Sequence, residues 1–258
     1  EAIKSSPEAL AYIQGRGLTG VSNRLGYDKE KKLLIIPYDA AGNYYISRSI
    51  TGKEYRKAPG QEPLYNAEAL YNGSGAVFIT EGALDALSII EAGGEAVALN
   101  GTAYTKLLTQ LEKRRTDNTL IISLDNDIHG NPAAEKLQEE LAARKIDSIN
   151  VNLWGGKKDP NEALVADREQ LEKTIKETLE GLEAIRQAQR EADIEEYIEE
   201  NSAYSHIKAF LDGIKIDTPA IPTGFKELDN ALDGGLYEGL YILGAISSLG
   251  KTTLVLQI

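Results

Sequence analysis

The stretches VFITEGALDALSII (77–90) and LIISLDND (120–127) decide the fold. Each is a short apolar run that ends on an acid: Val77 to Thr80 runs into Glu81, and Ile121 to Leu124 runs into Asp125, with Asp127 two residues on. Runs of this length with β-branched residues suit fully buried strands. Around them the chain alternates. The pattern predicts strands over 76–80, 95–99, 119–124 and 148–154, and helices over 83–92, 102–114 and 132–145. A β-α-β-α-β-α-β order implies a parallel sheet covered by helices. Ligands of such sheets sit beyond the C-terminal strand ends, where Glu81 and Asp125 fall.

Upstream, residues 1–75 read as a small α+β unit. A helix is expected from Pro7 to Gln14, and a hairpin from Lys32 to Pro37 and Tyr44 to Ile50 across the turn Asp39 to Asn43. Downstream, residues 162–200 are charged and helix-forming. Leu164, Leu171, Ile175, Leu179, Leu182 and Ile185 make one narrow apolar stripe, which suits either docking on a neighbouring subunit or an extended connector. A second short helix is expected from Ser205 to Leu211, and Thr218 to Pro222 reads as an extended boundary.

At 258 residues the chain is long enough for about two domains of roughly 150 residues each. It has no cysteine, which excludes disulfides, thiolate catalysis and cysteine-ligated zinc. No apolar run is long enough to span a bilayer and no signal peptide is visible, so the expected setting is cytoplasmic, away from membranes. The net charge of −12 argues against a protein that coats nucleic acid by charge alone. The charge is uneven: residues 1–75 hold 10 Lys/Arg and 8 Asp/Glu, net +2, whereas residues 161–218 hold 7 and 15. The absence of methionine, and an end at Ile258 inside a helix expected to follow a phosphate loop, lead to the expectation that the sequence is a piece of something longer.

Three carboxylates converging on one sheet edge repel one another and need a hard cation, and oxygen-only ligands suit Mg²⁺ or Mn²⁺. Such an ion can activate an attacking oxygen and hold phosphate oxygens. Gly82 lets the chain turn sharply after Glu81. A lone acid after a strand is more often a helix cap, and Asp125 or Asp127 suits the helix near Pro132 in that way. Two such sites on consecutive halves of one α/β unit, one of them D-x-D, favour the metal.

FITEGALDALSIIEAGGEAVALNGT (78–102) followed by LIISLDNDIHGNPAAEKL (120–137) resembles a Toprim domain, with E-G-x-x-D-A-L and D-x-D-x-x-G signatures, and KKDPNEAL (157–164) resembles the K-D-x-N-E segment of primase members. The resemblance implies metal-dependent chemistry at a nucleic-acid phosphate. It makes Glu81 the metal-linked acid/base, Asp125 and Asp127 metal ligands, and Asp85 and Asp159 supporting acids. For Asp85 an ordinary first-turn helix acid is the plain alternative, and for Asp159 a turn before Pro160. His129 has no role in that pattern and reads as a loop histidine.

The flank LLIIPYDAAGNYYISRSITGKEYRKAPG (33–60) with PLYN (63–66) resembles the N-terminal half of a primase RNA-polymerase core. That implies Arg48, Lys53 and Lys57 along a groove for nucleoside triphosphate and template. Lys57 equally suits a solvated turn. IPTGFKELDNALDGGLYEGLYILGAISSLGKTTLVLQI (221–258) resembles the opening of a RecA-like, DnaB-family helicase domain. A strand is expected from Leu240 to Leu243. It feeds a Walker A loop beginning at Ala245 and closing on Gly250, Lys251 and Thr252, which would cradle ATP phosphates, with Lys251 on the β/γ-phosphates and Thr252 on Mg²⁺.

The whole layout resembles bifunctional Toprim primase–helicases of phages and mobile elements, related to Twinkle. It implies an N-terminal primase subdomain (1–75), a Rossmann-like Toprim domain (76–165), a helical linker (166–217) and the start of a RecA-like domain (218–258) cut just after Walker A. It further implies DNA primase activity, with single-stranded DNA template, nucleoside triphosphates and RNA primer as partners. The full-length protein would be a homo-hexamer, and this piece a monomer. Two rival readings are a catalytically silent Toprim module for DNA binding and ring assembly, and a Toprim nuclease fused to an ATPase.

Overall fold

The computed structural model describes residues 3–39, 41–52, 54–201, 207, 210–212 and 219–258. Two compact units form, residues 1–188 and 189–258. In the first, β1 (Gly26–Asp28), β2 (Leu33–Pro37), β3 (Tyr45–Ser49) and β4 (Tyr55–Lys57) make an antiparallel sheet in chain order. The expected hairpin is its centre, paired with Ile36 opposite Ile46 and Leu34 opposite Arg48. Helix α1 (Pro7–Gly15) buries Ala9 and Ile13 against the same core.

The second sheet is parallel, in the order β6-β5-β7-β8. Its strands are β5 (Ala76–Thr80), β6 (Ala96–Ala98), β7 (Thr119–Ile122) and β8 (Ser148–Asn150), joined by α2 (Ala83–Glu91), α3 (Thr105–Lys113) and α4 (Gly130–Ala143). Side chains alternate between two cores with the strand period of two. Phe78 and Ile121 enter the core shared with α2 and the antiparallel sheet. Val77, Ile79, Leu120 and Ile122 enter the one capped by α3 and α4. The connection from β5 leaves to one side and that from β7 to the other, so the strand order reverses between them. Such a switch point opens a crevice at the C-terminal strand ends.

Strand β8 is shorter than the expected 148–154. Its neighbour β7 offers a ladder only to Ile122, and Val151 N–H donates to the Ile122 carbonyl at 3.2 Å as pairing ends. Trp154 then folds inward, 2% exposed.

The long helical stretch is two helices, α5 (Pro160–Ala166) and α6 (Arg168–Asn201). They break at Asp167, whose backbone is extended and whose carboxylate accepts from Gln170 N–H at 3.0 Å. The apolar stripe finds its partner within the chain: Leu164, Leu171 and Ile175 are at most 3% exposed in the first core, and Leu179 and Leu182 pack on it. Docking on another subunit is therefore not what these five residues need. Periodicity announced the stripe but could not say that its own sheet supplies the surface. Ile185, 68% exposed, is the member left out. Arg168 pins the helix by bonds to Glu91 and to the Gly17 carbonyl, and Arg186 by bonds to the Asp117 carbonyl and Thr119.

In the second unit Ile221 bridges Leu236, and short helices run over Lys226–Ala231 and Lys251–Val255. The strand expected from Leu240 to Leu243 does not form. Among the described residues it has no ladder partner, and Leu240 and Ile242 are 89% and 88% exposed. A strand of parallel type needs at least one pairing neighbour and cover over its faces. The helix expected over 205–211 lies largely outside the described residues, as does Thr218. No helix among the described residues is long and apolar enough to cross a membrane.

Candidate active site

Glu81 follows β5 and Asp125 follows β7 by three residues, so both stand at the switch point. The Asp125 N–H donates to Glu81 Oε1 at 3.3 Å. The loop after β7 tightens at once, and its closing residue is Gly130. A Cβ there would lie 2.0 Å from the Asp125 carbonyl oxygen and 2.8 Å from Glu81 Oε1. Only glycine fits, which gives the D-x-D-x-x-G spacing a steric cause. Asp127 caps the start of α4: its Oδ1 accepts from the N–H groups of His129 and Gly130, both at 2.9 Å. Those amides, Gly130 first, hold its carboxyl below the usual range.

A cavity of about 360 Å³ gathers Glu81, Asp85, Asp125 and Asp159 with Arg16, Arg48 and Tyr55. Burial raises the pKa of Glu81, and the Asp125 charge adds to it. Asp125 is raised by burial in spite of its lysine partner. Asp85 is pushed well above the ordinary carboxyl range by burial, then by the charges of Asp159 and Asp125. Asp159 also caps α5, accepting from Glu162 N–H at 2.8 Å, while Glu162 Oε2 accepts from Lys158 N–H at 3.1 Å. This reciprocal cap fixes the loop before α5.

Arg48 faces Tyr55 across β3 and β4, and its buried Nε has no hydrogen-bond partner. Arg16 reaches the cavity from the end of α1, held by Asn161 Oδ1 at 2.8 Å. Lys57 is exposed, ion-paired with Glu62 at 2.7 Å, and does not line the cavity. Lys53 lies outside the described residues.

Sequence reasoning missed three contributors. Arg16 comes from α1, and Asn161 is 145 residues away in the chain. Lys158 is the third: its ammonium lies 3.3 Å from Asp125 Oδ2 and 3.4 Å from Asp127 Oδ2. The K-D-x-N-E segment was the available signal for both Lys158 and Asn161.

Among the described residues, no group of three or more His, Asp or Glu is spaced to hold a metal ion. The donors nonetheless suit a hard cation in kind. They are all oxygens, Asp125 Oδ1 is buried with no hydrogen-bond partner, and the Asp125–Asp127 pair already takes up one cation, the lysine ammonium.

In the second unit Gly250 takes a left-handed φ of 80° before the helix Lys251–Val255. Lys251 Nζ donates to the carbonyls of Ala245 and Ile246 at 2.7 and 3.0 Å, so the loop curls around its own lysine, and Thr252 is exposed.

Residues 78–164 match the family model described as Toprim-like. The matched segment holds the last three residues of β5, all of β6 to β8, and every carboxylate that lines the cavity. A DNA primase of Campylobacter jejuni is 42% identical over 94 residues, 36% of this chain and 15% of that protein. The zinc-binding and RNA-polymerase domains of the Aquifex aeolicus primase align with a TM-score of 0.54 at 20% identity, covering 68% of this chain and 57% of that one. The primase fragment of the bacteriophage T7 primase–helicase aligns with a TM-score of 0.47 at 22% identity, over 67% and 73%. The Aquifex likeness is one of fold. The chain spans 15% of the Campylobacter protein and 57% of the Aquifex chain, well short of either.

Proposed function

We propose that this chain is the primase portion of a primase–helicase and joins nucleotides into RNA primers on single-stranded DNA. One observation carries this reading: four carboxylates at the switch point of a Toprim-like sheet share a cavity with two arginines. Carboxylates alone would repel a polyphosphate. Arginines alone would bind it without assisting transfer. Together they suit a phosphate-bearing substrate accompanied by a divalent cation.

Glu81, Asp125 and Asp127 would hold Mg²⁺ or Mn²⁺, with Asp85 and Asp159 supporting from behind. When bound, the ion supplies activation of the attacking 3′-hydroxyl and neutralises charge on the transferred phosphate. Glu81, whose carboxyl pKa is raised by burial and then by the Asp125 charge, would take the hydroxyl proton. Arg48 would donate its unpartnered Nε–H to the incoming triphosphate, and Lys53 would add a second cation. Tyr55, beside Arg48, would bound the same pocket. Lys57 would contact template phosphates from the exposed edge strand.

The P-loop resemblance extends the proposal to ATP, with Lys251 on its phosphates, Thr252 on its Mg²⁺, and Ala245 and Gly250 shaping the loop, in a hexameric full-length helicase. Asp125→Asn should abolish primer synthesis on single-stranded DNA while leaving the fold intact by circular dichroism. Normal synthesis by that variant would sink the reading.

A second reading has one observation in its favour. Lys158 sets one ammonium against the Asp125–Asp127 pair and offsets part of its charge. That suits a silent Toprim module for DNA binding and ring assembly, and absence of any divalent-ion binding would select it.

A further inference from the structure

Lys158 is unusual in how its two halves are held. Its backbone is clamped to the aspartate loop: Asn126 N–H donates to the Lys158 carbonyl at 2.7 Å, and the Lys158 N–H donates to Glu162 at 3.1 Å. The next residue, Asp159, is the cap of α5. The Cα of Lys158 therefore cannot drift from Asp125 and Asp127. Its side chain, by contrast, is 51% exposed and free to swing on a four-carbon stem.

We infer that Lys158 is a tethered counter-cation, seated between Asp125 and Asp127 until a divalent ion displaces its ammonium into solvent. This rests on the metal-site reading above and deepens it by naming what the ion competes with. Half-exposed ion pairs are weak, so the lysine yields. A divalent ion brings twice the charge to the same oxygens and can also engage Asp125 Oδ1, the buried oxygen that lacks a partner. The tether has two consequences. The aspartate loop is kept from repelling itself open when no ion is bound, and the displaced ammonium stays within reach of the ligand phosphates. Lys158 acts through the aspartates and is thus a positioning residue.

Mn²⁺ binding to the whole chain, followed by the loss of the free-ion paramagnetic resonance signal, tests this without any turnover. Lys158→Met should bind Mn²⁺ about tenfold more tightly than wild type, because a competing charge has gone. Lys158→Arg, which keeps the charge, should stay within about threefold of wild type. A merely structural lysine predicts the opposite order, with Lys158→Met weakened. The inference alone is overturned if wild type binds Mn²⁺, Asp125→Asn does not, and Lys158→Met binds equally or less well. If neither wild type nor Lys158→Met binds Mn²⁺, the metal-site reading fails and takes the inference with it.

Discussion

A Cβ placed on Gly130 would stand 2.0 Å from the backbone carbonyl oxygen of Asp125. The obstacle is backbone, so no rotamer change relieves it. Gly130→Ala should cost roughly 1–3 kcal/mol, the usual range for forced overpacking, and should displace Asp125 from Glu81. Denaturant unfolding measures the first effect. An unchanged midpoint would show that the loop is looser than its geometry indicates.

Asp85 stores electrostatic strain. Burial and the neighbouring charges of Asp159 and Asp125 raise its pKa well above the ordinary value. The folded state then holds the Asp85 proton more tightly than the unfolded state does. Its contribution is fully present below about pH 4, the unfolded carboxyl pKa, and is lost as pH rises through the folded value. In buffer free of divalent ions, Asp85→Asn should therefore melt higher than wild type near neutral pH, with the difference closing in acid. A variant that melts lower at neutral pH would contradict this.

Asn161 ties three elements together. Its amide donates to the Arg16 carbonyl at 3.0 Å and to Ser88 at 2.9 Å, and its oxygen accepts from Arg16. The side chain is 4% exposed. Asn161→Ala should cost about 1–3 kcal/mol by leaving buried polar groups unpaired, and should release Arg16 from the cavity. Thermal unfolding reads the cost, and a loss below half that range would show that water replaces the amide.

The docking of α6 makes a contrast between two isoleucines ten residues apart. Ile175→Ala removes a side chain 1% exposed and should cost about 2–4 kcal/mol. Ile185→Ala, at a position 68% exposed, should stay within roughly 0.5 kcal/mol. Equal effects would mean that the helix does not seat on the first core.

The legible parts of this molecule were those where neighbours in sequence carry the pattern. The apolar run ending on Glu81, its counterpart ending three residues past β7 on Asp125, and the helices between gave the parallel sheet and its acidic edge directly. What escaped depends on residues brought together from afar. Lys158 reaches Asp125 over 33 residues, Arg16 meets Asn161 across 145, and the stripe from Leu164 to Leu182 turned out to serve its own domain. The three-residue strands β1 and β4 are too short for their sequence to carry a recognisable period of two. The strand expected from Leu240 to Leu243 failed for the converse reason: the apolar run is there, but no pairing neighbour accompanies it among the described residues. Lys57 carries a charge suited to phosphate, yet its short pair with Glu62 turns it from the cavity.

Extension of a pre-annealed RNA primer on single-stranded DNA, with Mg²⁺ or Mn²⁺ and nucleoside triphosphates, tests the central claim most directly. Wild type should extend the primer and Glu81→Gln should not, with the template left intact. Extension by both proteins would remove Glu81 from the chemistry. Extension by neither would favour the binding-module reading, and cleavage of the DNA in place of extension would make the site a nuclease.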